Sequence, residues 1–253
     1  MKIMTIKDRI AVYWDKSAQE YHQASPLQNE HDRAKTEKWQ DLFCDKFPDD
    51  ARKILDVGTG PGAVAVLIAE KGFDVTGVDL SSQMLKYARE NAHKKGLSIK
   101  FEECDTESLP FEDGVFDVVV SRHLLWTTTD PEIVLREWLR VLRPGGRLVY
   151  CDGNWYKSDN TLKRDLWQKF SAILTIILEH RIPDGEDLSE EVKGSLWSVK
   201  ADRPTYDHDL LVKIGFTDIQ ITDSIEPLVS DWVSYLKEGY WGPRFLISAT
   251  KEG

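Results

Sequence analysis

The stretch Ile54-Leu55-Asp56-Val57-Gly58-Thr59-Gly60-Pro61-Gly62 constrains the fold more than any other part of the chain. An apolar run short enough for a buried strand meets three glycines within five residues. Ala63, Val64, Ala65, Val66, Leu67 and Ile68 follow, apolar almost all round. A strand that turns on glycine into a buried helix is the opening half of a βαβ unit. Glycine is needed there because the backbone must turn tightly and let a ligand approach the main chain with no Cβ in the way. The same alternation continues downstream. Strands are expected at 53–57, 74–78, 98–102, 116–120 and 147–151. Between them lie a helix at 63–70, a second capped by Ser81 and carrying Met84, Leu85 and Ala88, and a third that opens at Asp130-Pro131. The third shows Val134, Trp138 and Val141 on one face and is expected to stop at Pro144-Gly145-Gly146. This order gives a parallel sheet.

The flanks are helical in pattern. Trp14, Ala18 and Tyr21 share one face of a first helix, and a second runs over about 31–47, where His31 and Lys35 share a face that reads as solvated. Beyond the fifth strand, Leu162, Leu166, Phe170, Ile173, Leu174 and Ile177 follow helical spacing. That amphipathic helix either covers the pocket as a lid or forms the seam of a homodimer. Segment 182–204 is polar and broken by Pro183, Gly185, Gly194 and Pro204, as a loop or short helices would be. A helix at 206–214 with Gly215 as its C-cap leads to a strand at 217–221, and the last strand is expected at 244–250. At 253 residues the chain suits one domain: an N-terminal helical cap (1–50), a core (51–152), a helical insertion (158–204) and a C-terminal helix with strands (205–253).

Charge and cysteine usage exclude several roles. Lys+Arg number 33 against 43 Asp+Glu, a net charge of -10, and no basic patch stands out, so nucleic acid is not the expected partner. Cys44, Cys104 and Cys151 stand singly, which points to reduced thiols in the cytoplasm and to no metal site. Residues 1–10 hold no apolar leader and no eighteen-residue uncharged apolar run exists, so neither secretion nor a membrane span is expected.

The glycine turn alone is ambiguous. Gly58, Gly60 and Ala63 also satisfy G-x-G-x-x-A, and Asp79 at the end of the second strand could accept from the ribose hydroxyls of any adenosine cofactor, nicotinamide or flavin included. The order of motifs separates the readings. Asp56-Val57-Gly58-Thr59-Gly60-Pro61-Gly62, Val78-Asp79-Leu80-Ser81, Cys104-Asp105-Thr106-Glu107-Ser108-Leu109-Pro110-Phe111, Phe116-Asp117-Val118-Val119 and Leu142-Arg143-Pro144-Gly145-Gly146-Arg147-Leu148 occur in sequence at set spacings. Over about 54–152 the chain resembles the class I methyltransferases that use S-adenosylmethionine (SAM), of the ubiquinone/menaquinone-biosynthesis type.

That resemblance implies a Rossmann-like, seven-stranded α/β sheet with helices on both faces and the last strand antiparallel. It implies SAM as cofactor and S-adenosylhomocysteine as product. Asp56, Gly58, Thr59, Gly60 and Gly62 would lie about the methionine part, with Ser121 offering backbone. Asp79 would take the ribose, Leu80 and Met84 the adenine face, and Asp105 and Thr106 the adenine edge. Tyr13, Trp14 and Tyr21 fall in a segment that closes over SAM in many relatives.

The acceptor is a small molecule, methylated on N, O, S or C. His123 is a candidate general base, since ligands of open α/β sheets bind beyond the carboxyl ends of the strands. Arg122, Trp126, Trp155 and Tyr156 reach the same edge, as does Asp152, and would bind the acceptor. Each has a plainer reading: His123 as a satisfied structural histidine, Arg122 paired with a nearby carboxylate, the aromatics as packing. Two rival functions remain. A non-catalytic SAM-binding protein would keep the same cofactor motifs, whereas an NAD(P)-dependent oxidoreductase would leave Arg143-Pro144-Gly145-Gly146 without a role.

Overall fold

In the computed structural model, which describes residues 4–23, 33–156, 161–179, 188–229 and 244–253, the apolar runs become the strands of one sheet. They are β1 (Lys53–Val57), β2 (Asp74–Asp79), β3 (Lys100–Glu103), β4 (Phe116–Arg122), β5 (Leu142–Gly153), β6 (Phe216–Asp223) and β7 (Arg244–Lys251). Their order is β3-β2-β1-β4-β5-β7-β6. The first five strands pair in parallel, and β7 lies antiparallel between β5 and β6. This is the seven-stranded arrangement the motifs implied.

Residues alternate across the sheet, as a strand's two-residue period demands. Ile54, Val118, Val120 and Val149 face α2 (Arg33–Cys44), α3 (Ala63–Ala69) and α4 (Ser82–Lys94). Leu55, Val57, Val119, Leu148 and Tyr150 face α5 (Pro131–Val141) and α8 (Thr205–Ile214). Parallel strands buried on both faces read as unbroken apolar runs, which is why this half of the fold was visible in the sequence. Local signals hold too. Ser81 accepts from the Met84 N–H and Asp130 from those of Glu132 and Ile133, each capping its helix, and Gly215 ends α8 at φ 108°.

One boundary moves. Pro144-Gly145-Gly146 do not stop a helix. α5 ends at Val141 and β5 begins at Leu142, so these residues sit inside the strand, where its register against β4 shifts between Phe116 and Val118. Such an irregularity lets a proline and two glycines stand within a strand.

Two further helices, α1 (Ile6–Gln23) and α7 (Glu190–Ser195), gather at the carboxyl ends of the parallel strands. They share a small apolar cluster of Ile10, Trp126, Leu188, Val192 and Leu196, with Tyr13, Trp14, Trp155 and Tyr156 packed against it. Segment 188–204, read from its polarity as loop or short helices, forms α7 and a short 3-10 turn at Trp197–Val199. It buries Leu188, Val192, Leu196 and Arg203. α6 (Thr161–Glu179) is a helix, but Leu166, Phe170, Ile173 and Ile177 are exposed while Ser171 and Thr175 are buried. His31, Pro183 and Gly185 lie outside the described residues, as does the side chain of Leu162. α9 (Glu226–Val229) is a single turn before β7. Among the described residues no helix is long and apolar enough to cross a membrane.

Candidate functional site

An open cleft lies where β1, β2 and β4 end, roofed by α1. Its floor is the glycine turn. Asp56 is buried, and its Oδ2 accepts from Thr59 Oγ1 at 2.7 Å and from the Ala65 N–H at 3.0 Å, tying the turn to the start of α3. Burial pushes its pKa up to about 7. Asp79 Oδ2 accepts from the Gly60 N–H at 2.8 Å and Oδ1 from the Ser81 N–H at 2.9 Å, and burial pushes it up to about 6. Neither carboxylate has an ion-pair partner among the described residues; both are held by N–H and O–H donors.

Two glycines serve distinct ends. Gly60, at φ 54°, faces the cleft, where an added Cβ would point between Tyr21 at 3.8 Å and the Met84 sulfur at 4.0 Å. Gly62, at φ 80°, is not on the cleft; a Cβ there would sit 3.1 Å from that of Ala88, so this glycine lets α3 and α4 approach.

At the end of β4, His123 adopts φ 59°, a left-handed conformation that non-glycine residues seldom take. Its N–H donates to the Cys151 carbonyl at 2.8 Å, its ring meets Trp155 edge-on at 4.9 Å, and its Nδ1 is 3.4 Å from the Tyr21 hydroxyl. Nε2 is buried with no hydrogen-bond partner among the described residues. Burial, reinforced by the charges of Arg122 and Arg244, holds the imidazole well below its usual pKa and therefore neutral. Strain and an unsatisfied ring nitrogen in one residue beside a cleft are what a ligand-facing group shows.

Of the residues singled out from sequence, Trp14, Tyr21, Asp56, Gly58, Thr59, Gly60, Asp79, Leu80, Met84, Asp105, Thr106, Arg122 and His123 line this cleft. Others stand behind it. Ser121 Oγ donates to the Val57 carbonyl at 2.8 Å, joining β4 to β1, and Tyr13 packs edge-on against Trp14 at 5.1 Å. Trp126, Trp155 and Tyr156 form a second layer. Trp126 donates through Nε1 to the His123 carbonyl at 3.0 Å and meets Tyr156 at 5.5 Å, while Trp155 backs the His123 ring. Asp152 is also removed from the cleft. It accepts from the Trp126 N–H at 2.9 Å and lies 2.9 Å from Arg203, itself 2.7 Å from Asp207.

Several lining residues had not been anticipated. Lys7 reaches from α1 to Asp105 at 2.7 Å and Glu107 at 2.6 Å, so Asp105 is already half of an ion pair. Asp15 accepts from Ser81 Oγ, fastening α1 to the cap of α4. Thr127, Thr128 and Thr129 also line the cleft, and Thr129 donates to Glu107 at 2.7 Å. Glu107 lies in the motif that contains Asp105 and could have been flagged; Asp15 does not line the cleft and falls in the Tyr13–Tyr21 segment already read as closing over SAM, whereas Lys7 sits in an ordinary polar stretch and carries no local signal.

The residues fit an adenosine donor with an amino-acid tail. A glycine cradle that a side chain would fill, and a buried carboxylate at the end of the second strand, give such a ligand both clearance and hydroxyl acceptors.

Comparison with known proteins agrees. Residues 55–150 match the family described as "Methyltransferase domain". The chain is 42% identical over 114 residues to a demethylmenaquinone methyltransferase of Thermus thermophilus, an overlap of 44% of this chain and 50% of that relative. It is 27% identical over 194 residues to the ubiquinone/menaquinone biosynthesis C-methyltransferase UbiE of Shewanella sediminis, 74% of this chain and 73% of the relative. The chain thus spans half the length of the first relative and nearly three quarters of the second. Among solved structures, phosphoethanolamine N-methyltransferase 2 of Haemonchus contortus, in complex with SAM, shares the fold with a TM-score of 0.63 at 21% identity, covering 99% of this chain and 61% of that one. Geranyl diphosphate methyltransferase does so with a TM-score of 0.61 at 17% identity, over 98% of this chain and 100% of that one. Over residues 55–150 the sequence matches a methyltransferase domain, and the chain shares its fold with the two methyltransferase structures just described.

Proposed function

We propose that the chain methylates a small, partly apolar acceptor, with His123 taking the acceptor's proton. The carrying observation is that the glycine turn, two buried carboxylates without ion-pair partners among the described residues and a neutral histidine whose buried Nε2 lacks a hydrogen-bond partner among them converge on one cleft. When bound, SAM supplies a methyl group on a sulfonium, and displacement there disperses positive charge. The protein's task is alignment and exclusion of water.

In this reading Asp79 accepts from the ribose hydroxyls, Leu80 and Met84 flank the adenine, and Asp105 and Thr106 meet its edge. Asp56 and Thr59 keep the turn in shape rather than touching the ligand, with Gly58 and Gly60 as the surface it lies on. Trp14 and Tyr21 close the roof. His123 Nε2 is the proton acceptor: it has no hydrogen-bond partner among the described residues, and because burial and the charges of Arg122 and Arg244 disfavour the imidazolium, it takes the proton only once methyl transfer has made the acceptor strongly acidic. Trp126, Trp155 and Tyr156 hold the His123 ring from behind. A partly apolar acceptor suits a wall that includes Ile10, Trp14 and Leu124, and two of the similar proteins are named for isoprenoid compounds, demethylmenaquinone and geranyl diphosphate. We further read the protein as cytoplasmic, acting without nucleic acid, membrane or metal, and place a homodimer seam on the exposed stripe of α6.

Calorimetric titration of S-adenosylhomocysteine into wild type and Asp79→Ala tests the donor half; binding is expected in the first and severe loss in the second. A screen of metabolites with labelled SAM tests transfer, and His123→Asn should lower turnover while leaving donor affinity in place. A protein that binds donor yet methylates nothing is a SAM-binding protein only. A melting-temperature rise with NAD(P) and none with SAM would restore the oxidoreductase.

A further inference from the structure

The charges on the cleft do not cancel. Asp56, Asp79, Asp105 and Glu107 stand on its wall with two cations, Lys7 and Arg122. Lys7 is engaged by Asp105 and Glu107. Arg122 has no carboxylate at ion-pair distance among the described residues; its guanidinium lies over the Trp39 ring, 5.4 Å from the centroid. A guanidinium held over an aromatic face by cation–π attraction keeps its N–H donors, a fork that matches a carboxylate.

Register places this fork. β4 runs beside β1 with Ser121 opposite Val57, so Arg122, the last residue of β4 and still paired with Cys151, stands next to Gly58, where β1 gives way to the glycine turn. Arg122 therefore stands at the turn where the amino-acid end of the donor belongs, away from the Lys7–Asp105 end. Its charge is felt by Asp56, Tyr21 and His123. A ligand bearing a carboxylate at this turn would meet Asp56 and Asp79 with no other unengaged cation on the cleft wall.

We propose that Arg122 is the carboxylate site of the cleft and that it holds the α-carboxylate of SAM rather than a group of the acceptor. This assignment rests on the donor reading of the same cleft. It makes Arg122 a binding residue that selects amino-acid-bearing donors over truncated nucleosides.

The test is calorimetric, with three probes: S-adenosylhomocysteine, its decarboxylated analogue, which keeps thioether and ammonium, and 5′-methylthioadenosine, which lacks the whole amino-acid part. Wild type should prefer S-adenosylhomocysteine to the decarboxylated analogue by roughly 10- to 100-fold, the usual range for a charge-assisted pair. Arg122→Met should collapse that ratio to within about threefold and leave 5′-methylthioadenosine binding near wild type, because no interaction with the nucleoside is lost. Arg122→Lys, which keeps the charge without the fork, should fall between, and it decides the matter if the methionine variant does not fold. A variant that retains the wild-type ratio, or a wild type with no preference, overturns the proposal; in the first case an acidic acceptor becomes the partner of Arg122. A wild type that binds neither S-adenosylhomocysteine nor 5′-methylthioadenosine overturns the donor reading itself.

Discussion

Two pairs of buried carboxylates lie along the same edge of the sheet and are treated in opposite ways. Asp152, at the end of β5, and Asp207, in α8, are closed around Arg203, whose guanidinium is wholly buried between the rings of Trp197 at 4.7 Å and Phe245 at 5.1 Å. The Tyr150 hydroxyl donates to Asp207 at 3.0 Å, and Asp152 takes the N–H groups of Trp126 and Gly153. Asp56 and Asp79, two and three strands along from β5, have donors but no ion-pair cation among the described residues. An ion left in the interior without its counter-charge is costly, so the first pair is completed by the protein. The second pair borders a cleft and waits for a ligand's donors. Chemical type and burial are alike in the two; what separates structure from site is whether the chain brings its own partner.

That contrast can be broken most directly at Arg203. Arg203→Met leaves two uncompensated carboxylates in the core and should destabilise the protein by about 3–5 kcal/mol in urea titration, the range for breaking one side of a buried pair. Asp79→Asn removes a charge that had no cation, and its unfolding midpoint should stay within about 1 kcal/mol of wild type while donor affinity falls more than about tenfold. Equal stability losses in the two variants would erase the distinction.

Titration sharpens it. With pKa values raised to about 7 and about 6, folded Asp56 and Asp79 keep protons that the unfolded chain has already released. The native state therefore binds more protons than the unfolded one between roughly pH 4 and 7, and stability contributed by these groups is lost as pH rises through that window. Asp79→Asn should flatten the upper-acid part of the slope in ligand-free protein. Donor binding should run the other way: if the ribose hydroxyls need the Asp79 anion, affinity for S-adenosylhomocysteine weakens by up to about tenfold per unit as pH falls below that group's pKa.

Smaller effects bear on how α1 closes the cleft. Ser81→Ala removes an N-cap and the contact to Asp15, and should cost about 1 kcal/mol in thermal unfolding while loosening donor binding. Arg9, paired with Glu191 across α1 and α7, is half exposed; Arg9→Ala should change stability by less than about 1 kcal/mol and lose even that effect in high salt.

How much of this could be read beforehand follows the range of the physics involved. β1, β2 and β4 were legible because strands buried on both faces are continuous apolar runs, and Ser81, Asp130 and Gly215 were legible because capping depends on three or four neighbouring residues. Lys7 was not, because it reaches Asp105 only through packing that joins positions 98 apart. Trp126, Trp155 and Tyr156 were placed at the correct edge but one layer too far forward, since a strand-end position does not say which side of a wall a ring occupies. Arg203 was hidden for a related reason: in a segment rich in charge and proline, nothing local marks the one arginine that two distant carboxylates will draw inside.

The insertion of β7 between β5 and β6 carries a consequence for synthesis. β6 leaves the ribosome before β7, its one partner strand among the described residues, and β5 has waited still longer with one edge open. The nascent chain must shelter two unpaired edges until residues 244–251 arrive, whereas the cleft needs only β1 to β4 and the helices around them. A chain stopped short of residue 244 is thus expected to build the floor of its ligand site and still aggregate through β5 and β6.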